Sequence, residues 1–462
     1  MAVLEFYLQE RKKKLEKIKT SALSRGMSLT KLAVKSGVRL ASAQVQKAFD
    51  KEKVMDQVFK SNALSVVQEL GKLKGSAMKM GQSLAIIGEH FFPKEISAIL
   101  KTLNEDSEDV AWDVMRKSLV KTLGEEKLSR LKIDEDAFAA ASLGQVHRAT
   151  IIETGEDVCL KIQYPGVAQS IDSDLKTLKS ILKVSKFLPA YGDKFDMIFA
   201  EIKTMLKKEV DYVREAKSME DFRTLLSGDS RYLIPKVYED FSSKTVLTTS
   251  FQPGDNIDSP VVAALPMERR KKLAENCAEL FLRELFEFFK IQTDPHFGNY
   301  KVQSVGGQDQ LVLLDFGAVR KYAKSFMKAY ADMVLGALAR DEHLVLKGAQ
   351  SLNFIREDDS EDLRKPFVEY CYMVVEPWAT PDTPGVDLTY FNDEGLYQWH
   401  LTDLPNRLRK DGAKLALLFK FRPPPKEIVF LDRKLAGMFT TLKILEAPFD
   451  ANDVILRVLK SS

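Results

Sequence analysis

A chain of 462 residues, 45% hydrophobic and 29% charged, is long enough for two or three packed units and too apolar to be disordered. Its net charge is a small +3, and no apolar run approaches the roughly 18 residues that a membrane-spanning helix needs. Cys159, Cys277 and Cys371 have neither metal-ligand spacing nor a paired pattern, so reduced, buried thiols in a cytosolic-type compartment are expected.

The charge is unevenly spread. Residues 1–60 hold 14 Lys/Arg against 6 Asp/Glu, leaving the remainder of the chain acidic. Such an excess is most often a solvated helix face; its sharper reading is contact with an anionic surface of phospholipid headgroups. Nucleic acid is not an expected partner, because the basic residues are not interleaved with aromatics and no nucleic-acid motif is present. Met1–Lys19 mixes Glu5, Glu10 and Glu16 with its lysines and lacks an apolar stretch, so it reads as neither a secretory signal nor an acid-poor transit peptide.

Residues 1–105 read as helical throughout. Within Met55–Glu89, Leu64, Val67, Leu70, Leu73 and Met78 recur at roughly helical spacing, and Gly71, Gly75, Ala77 and Gly81 permit close backbone approach. Lys79 and Gln82, three residues apart, project from one face of that helix.

Between two extended stretches lies Ala139-Ala140-Ala141-Ser142-Leu143-Gly144-Gln145-Val146-His147, where a kinase has its glycine-rich phosphate loop. The apolar strand Val158–Ile162 then delivers one lysine, Lys161, at the position that grips the α/β-phosphates. Two carboxylates in the following helical stretch, Glu209 and Glu215, are both candidates to fix it. Leu247–Gly254 reads as a strand entering a hinge, with Thr249 and Phe251 where adenine would meet backbone groups.

A strongly apolar helix expected over Leu273–Lys290 leads into Gln292-Thr293-Asp294-Pro295-His296-Phe297-Gly298-Asn299. An Asp with an Asn five residues later has the spacing of a phosphotransfer loop. The short strand Leu311–Leu314 runs from there into Asp315-Phe316-Gly317. In that arrangement Asp294 orients or deprotonates the attacking group, while Asn299 and Asp315 are hard oxygen ligands for Mg²⁺. Either piece alone is weak; both in this order are specific.

Three departures from ordinary kinases bear on the chemistry. Alanines replace the loop glycines, which stiffens the loop and restrains its N–H groups. Gln292-Thr293 stands where His-Arg normally precedes the catalytic Asp. Nothing like Ala-Pro-Glu follows Gly317; a helix with Tyr322, Phe326, Tyr330, Met333 and Val334 on one face is expected instead. These departures favour an ATPase or small-molecule kinase over a protein kinase. Farther on, Glu357–Asp362 reads as a solvated break, and a helix over Leu431–Leu445 follows Pro423-Pro424-Pro425. None of the five histidines suggests a metal triad.

The combination of Lys79-x-Gly81-Gln82, the alanine-rich loop, Lys161, Glu209-x-Asp211, Asp294-to-Asn299 and Asp315-Phe316-Gly317 resembles the UbiB (ADCK-type) atypical kinases. Tyr164-Pro165-Gly166-Val167 and Ile171-x-x-Asp174-Leu175 are similar as well, and the resemblance spans roughly residues 55–440. It implies an α+β, two-lobed protein-kinase-like fold, with a helical extension over 1–105, an N-lobe over 106–250 and a helical C-lobe over 251–462. It implies ATP or ADP with Mg²⁺ as cofactors and a role in ubiquinone or isoprenoid-lipid metabolism. A lipid or quinone-precursor ligand and a cytoplasmic location, peripheral on the inner face of a membrane, go with that. It also implies regulatory contacts of Lys79 and Gln82 with Glu209 and Asp211, and favours Glu215 as the partner of Lys161 while leaving an exchange of Glu209 and Glu215 open. A nucleotide-binding pseudokinase scaffold and an aminoglycoside-type small-molecule kinase are the competing classes.

Overall fold

The computed structural model describes residues 110–141, 143–184, 192–419 and 425–461. The expected helical extension, with Lys79 and Gln82, therefore lies outside the described residues, as does Ser142 of the alanine-rich stretch. The chain divides into two compact units. One takes the described residues through Lys217 together with Lys236–Phe251, and the other takes Ser218–Pro235 and everything from Gln252 onward.

The first unit opens with α1 (Trp112–Leu123) and the single turn α2 (Glu125–Leu128). Four strands follow: β1 (Leu131–Ile133), β2 (Ala139–Ala141), β3 (Gly144–Ile151) and β4 (Asp157–Gln163). Helices α3 (Val167–Val184), α4 (Gly192–Glu209) and α5 (Tyr212–Leu225) come next, with the part of α5 from Ser218 onward belonging to the second unit. After β5 (Tyr232–Leu233), which pairs in the second unit, β6 (Val246–Ser250) completes an antiparallel sheet of order β1-β3-β4-β6, with β2 folded back on β3.

Alternation builds the core of this unit. Ala149 and Ile151 on β3, and Val158, Leu160 and Ile162 on β4, are buried with Met115 and Leu119 of α1, Ile171 and Leu178 of α3, and Ile202 and Leu206 of α4. The alanine-rich stretch is an extended strand, Ala139 opposite Val146 and Ala141 opposite Gly144. Gly144 in turn pairs with Gln163 on β4.

The second unit contains a four-stranded sheet of order β5-β10-β9-β7 and a two-stranded ribbon. The sheet's later strands are β7 (Asp255–Asn256), β9 (Tyr300–Val305) and β10 (Gln308–Leu313); the ribbon pairs β8 (Lys290–Gln292) with β11 (Val319–Lys321). Between β7 and β8 run the short α6 (Pro260–Ala263) and the long α7 (Met267–Phe286). Six helices finish the chain: α8 (Lys324–Ala339), α9 (Glu342–Ser351), α10 (Glu361–Val374), α11 (Leu404–Leu418), α12 (Lys426–Leu445) and α13 (Ala451–Ser461).

Helix α7 is the spine of this unit: Leu273, Ala278, Phe281 and Leu285 are buried, and it packs on α12, α13, β8 and β10. It differs from the expected Leu273–Lys290 span. The helix starts at Met267 and stops at Phe286, because Phe289 adopts a left-handed φ of 52° and releases Lys290 into β8. The expected Leu431–Leu445 helix begins earlier, at Lys426, directly after Pro425. Of the three cysteines, none in a disulfide, only Cys371 is buried, whereas Cys159 and Cys277 are half-buried; Cys159 sits on the partly exposed side of β4.

A Cβ on Gly144 would overlap the backbone carbonyl oxygen of Ile162 on the neighbouring strand, which cannot move without breaking sheet pairing. Gly144→Ala should therefore destabilise the protein by about 1–3 kcal/mol in urea unfolding. An unchanged midpoint would mean that the two strands do not approach this closely.

Candidate active site

In the first unit, β4 places Lys161 with its Nζ 2.7 Å from Glu215 Oε1. The carboxylate side chain is only 2% exposed and the lysine 20%, so the pair is largely withdrawn from water. Local anchoring explains why Glu215 arrives there. Gln163, two residues along the same strand, donates from Nε2 to the Val210 carbonyl at 2.6 Å, tying the α4–α5 junction to β4. Asp211 accepts from the Arg214 N–H at 3.0 Å and so caps the start of α5. Glu215 lies in the first turn of that helix, and the ring of Tyr212 lies 5.3 Å from the Lys161 ammonium. Of the two carboxylates left open by the sequence, Glu215 meets Lys161; Glu209 ends α4.

The alanine-rich hairpin is tied into the packing of its own unit. Ala139 and Ala140 are exposed on β2. Gln145 is 1% exposed: its Oε1 accepts from Val110 N–H at 3.0 Å, and its Nε2 reaches the Val110 carbonyl at 3.2 Å and His147 Nε2 at 2.8 Å. His147 Nδ1 lies 2.8 Å from the Asp134 carbonyl, an arrangement in which Nδ1–H donates and Nε2 accepts from Gln145. The amide of Gln145 is thus engaged with Val110 and His147 inside the first unit. Of the two residues expected at a hinge, Thr249 lies within β6 opposite Cys159, and Phe251 comes just after it, its N–H donating to the Asp157 carbonyl at 2.9 Å. The Arg148 guanidinium covers the Phe251 ring at 4.1 Å.

The second unit holds the Asp294 loop and the Asp315 turn in one frame. Ribbon register sets Gln292 opposite Val319. Gln292 is buried, its Nε2 donating to the Asp315 carbonyl at 3.0 Å and its Oε1 accepting from Asp294 N–H. Thr293 Oγ1 donates to the Ala318 carbonyl at 2.8 Å. These two residues, standing where His-Arg is usual, therefore stitch the loop to the segment after Asp315. Leu314 N–H donates to the Asn299 carbonyl at 3.0 Å, closing the other end. Asp315 Oδ1 accepts from Gly317 N–H at 2.9 Å, and the buried Phe316 ring packs 5.0 Å from Phe222.

Asn299 Nδ2 donates to the Asp294 carbonyl at 3.4 Å. His296 is a turn residue whose Nδ1 accepts from Gly298 N–H at 3.0 Å. Asp294 Oδ1 receives the Arg433 guanidinium at 2.9 Å from α12, 139 residues away in sequence. Sequence reasoning missed Arg433, since nothing local distinguishes it from a solvated cation on an amphipathic helix.

Chemically, Asp294, Asn299 and Asp315 of the second unit supply hard oxygen donors, which suit Mg²⁺ rather than a metal held by thiolate or imidazole. Among the described residues no group of three or more His, Cys, Asp or Glu could hold a metal by itself. Burial pushes the thiols of Cys277 and Cys371 up to about 12, which disfavours their thiolates. A double-mutant cycle over Lys161→Met and Glu215→Gln should give a coupling of about 1–3 kcal/mol in unfolding free energy. Strict additivity would show that the pair is not formed in solution.

Residues 102–349 match the ABC1 atypical kinase-like domain, more than half of the chain. The zebrafish (Danio rerio) mitochondrial atypical kinase COQ8B is 33% identical over 98% of this chain and 70% of its own length. Mitochondrial atypical kinase COQ8 of Saccharomyces cerevisiae is 31% identical, over 92% and 82% respectively. Among solved structures, Mycobacterium tuberculosis Rv3197, determined as an erythromycin complex, superposes with a TM-score of 0.57 at 22% identity, over 88% of this chain and 97% of that one. That last likeness concerns the fold. Together with the paired lysine and the Asp294–Asn299 and Asp315 pieces, these matches place the chain in the ABC1 family of UbiB-type (COQ8/ADCK) atypical kinases.

Proposed function

We propose that the protein is a Mg²⁺-dependent ATPase or small-molecule phosphotransferase that serves ubiquinone or isoprenoid-lipid metabolism, rather than a kinase of protein substrates. One observation carries the reading: within a single unit the Asp294–Asn299 loop and the Asp315 turn are stitched together by Gln292 and Thr293. The COQ8 relatives support the metabolic assignment.

In this reading Asp294 accepts the proton of the attacking water or hydroxyl, or orients it, as its oxygen bonds to the γ-phosphorus and the bond to the ADP oxygen breaks. Asn299, through its amide oxygen, and Asp315, through its carboxylate, would hold Mg²⁺. That ion, when bound, neutralises phosphate charge. Lys161, kept in place by Glu215, grips the α/β-phosphates. The backbone of the Ala139–Ala141 strand, with Ser142 and Gly144, lines the phosphates, and the backbone at Thr249 and Phe251 meets the adenine. Lys79 and Gln82 regulate the site through Glu209 and Asp211.

Two features disfavour a peptide substrate. After Gly317 the chain forms only β11 before α8 begins at Lys324, so no extended docking segment intervenes. The Thr293 side chain, at the place of the arginine that would read an activating phosphate, is occupied with Ala318.

Phosphate-release kinetics test the assignment. Asp315→Asn should lower Mg²⁺-dependent kcat by about 100-fold or more, since the metal carries much of the transition-state charge; unchanged turnover would reject Asp315 as a ligand.

Membrane contact belongs to the same proposal. Among the described residues no helix is long and apolar enough to cross a membrane, whereas residues 1–60 carry an excess of eight positive charges. With about 1 kcal/mol gained per Lys or Arg near an anionic surface, co-sedimentation should require anionic vesicles and weaken as salt rises. Equal binding to neutral vesicles would assign the contact to apolar surface instead.

A further inference from the structure

Beneath the Asp294 loop lies an ion pair that the proposed chemistry does not use. Lys434 of α12 and Glu284 of α7 are 5% and 2% exposed, with Nζ 3.0 Å from Oε2. Lys434 also donates to the Tyr300 hydroxyl at 3.1 Å. Burial is the largest single influence and opposes the ammonium, but Glu284 and Tyr300 together outweigh it and raise the lysine above its ordinary value. Glu284 receives a further hydrogen bond from the backbone of Gln292.

Those partners bracket the loop. Gln292 is two residues before Asp294, and Tyr300 directly follows Asn299. One buried pair therefore touches both stems of the segment that carries Asp294 and Asn299. Helix α12 comes unusually close at the same place: a Cβ on Gly437, three residues beyond Lys434, would overlap the Pro295 ring. Arg433, the residue before Lys434, reaches Asp294 itself.

A buried ion pair is a poor way to gain stability, because desolvation of both ions offsets most of their attraction. A well-packed apolar pair in the same place is often as stable or more so. What an apolar pair lacks is direction: it cannot hold an amide and a hydroxyl on opposite stems at fixed distances.

We propose that the Lys434–Glu284 pair is a positioning clamp, which fixes the two stems of the Asp294–Asn299 loop through Gln292 and Tyr300 and so sets the reach of Asp294 and Asn299 to the transferring phosphoryl group. The clamp rests on reading that loop as the phosphoryl-transfer loop. It is distinct from the residues that touch nucleotide or metal, and it lies partly beyond the stretch matching the family domain, which ends at residue 349.

The test compares Lys434→Met, Glu284→Gln, the double variant and Tyr300→Phe in Mg²⁺-ATP phosphate release and thermal melting of the full chain. Each charge-removing single variant leaves one buried partner unmatched and should melt lower. The double variant should recover most of that loss, melting within about 5 °C of wild type. Its kcat should nevertheless stay about 10- to 100-fold down with KM for ATP changed less than about threefold, the mark of lost positioning rather than lost binding. Tyr300→Phe should lower kcat in the same direction with the fold intact, and Lys443→Met, exposed on the same helix, should leave kcat unchanged.

A folded double variant or Tyr300→Phe with wild-type kcat would overturn the clamp while leaving the proposed function standing. If the double variant does not fold, Tyr300→Phe alone decides. Absence of Mg²⁺-dependent turnover in wild type would remove the proposed function, and the clamp with it.

Discussion

The pairing of Lys290–Gln292 with Val319–Lys321 is the constraint on which the second unit's chemistry depends. It is short, yet it brings the start of one acidic loop and the end of the other into a common register. Gln292 then uses both ends of its amide at the junction, one on the Asp315 carbonyl and one on Asp294 N–H. Thr293 adds a bond to Ala318, and Leu314 closes on Asn299. Because each buried polar group is matched, slipping the ribbon by one residue would leave several unsatisfied at once, at roughly 1–3 kcal/mol each. The relative placement of Asp294, Asn299 and Asp315 is therefore a property of backbone register more than of their own side chains.

Buried charge is used sparingly and with direction. Lys161 is matched by Glu215, and Lys434 by Glu284. Elsewhere the second unit is held by partly buried networks whose role is structural, such as Arg231 between Asp229 and Glu279, and Arg407 on the buried Glu376. The side chain of Arg231 lowers the Asp229 carboxyl, so this network contributes stability above the ordinary carboxylate range and loses it as pH falls through the depressed value. Helix α12 is in turn fixed from behind by aromatic packing, with Phe439 against Trp399 and Trp399 stacked on Phe449. A helix anchored this way can present Arg433 and Lys434 at fixed height.

Much of the site was legible because its key residues are set by local spacing. Asp294 and Asn299 share one loop, Asp315 follows a short apolar strand, and Lys161 sits in an apolar run; each pattern survives without knowledge of distant contacts. Legibility failed where sequence neighbours part company in space. The packing of Gln145 was not read from the sequence: on β3 it shares a face with His147, Ala149 and Ile151, and that face is buried. The period-two alternation of Ala149 and Ile151 was the available signal. Glu209 and Glu215 could not be separated by spacing, because the choice depends on Gln163 anchoring the α4–α5 junction. Arg433 and Lys434 left no local trace at all, since their partners lie 139 and 150 positions earlier in the chain. Lys79 and Gln82, on which the expected regulation rests, lie outside the described residues.

A seat for Mg²⁺-nucleotide formed by the Asp294–Asn299 loop and the Asp315 turn is tested most directly by thermal melting with ADP or ATP, in the presence of Mg²⁺ and again with excess EDTA. Ligand bound only to the folded state raises the melting temperature by mass action. Such a seat should give a nucleotide-dependent rise that requires Mg²⁺ and is lost in Asn299→Ala. A rise of equal size in EDTA, or none with either nucleotide, would contradict it.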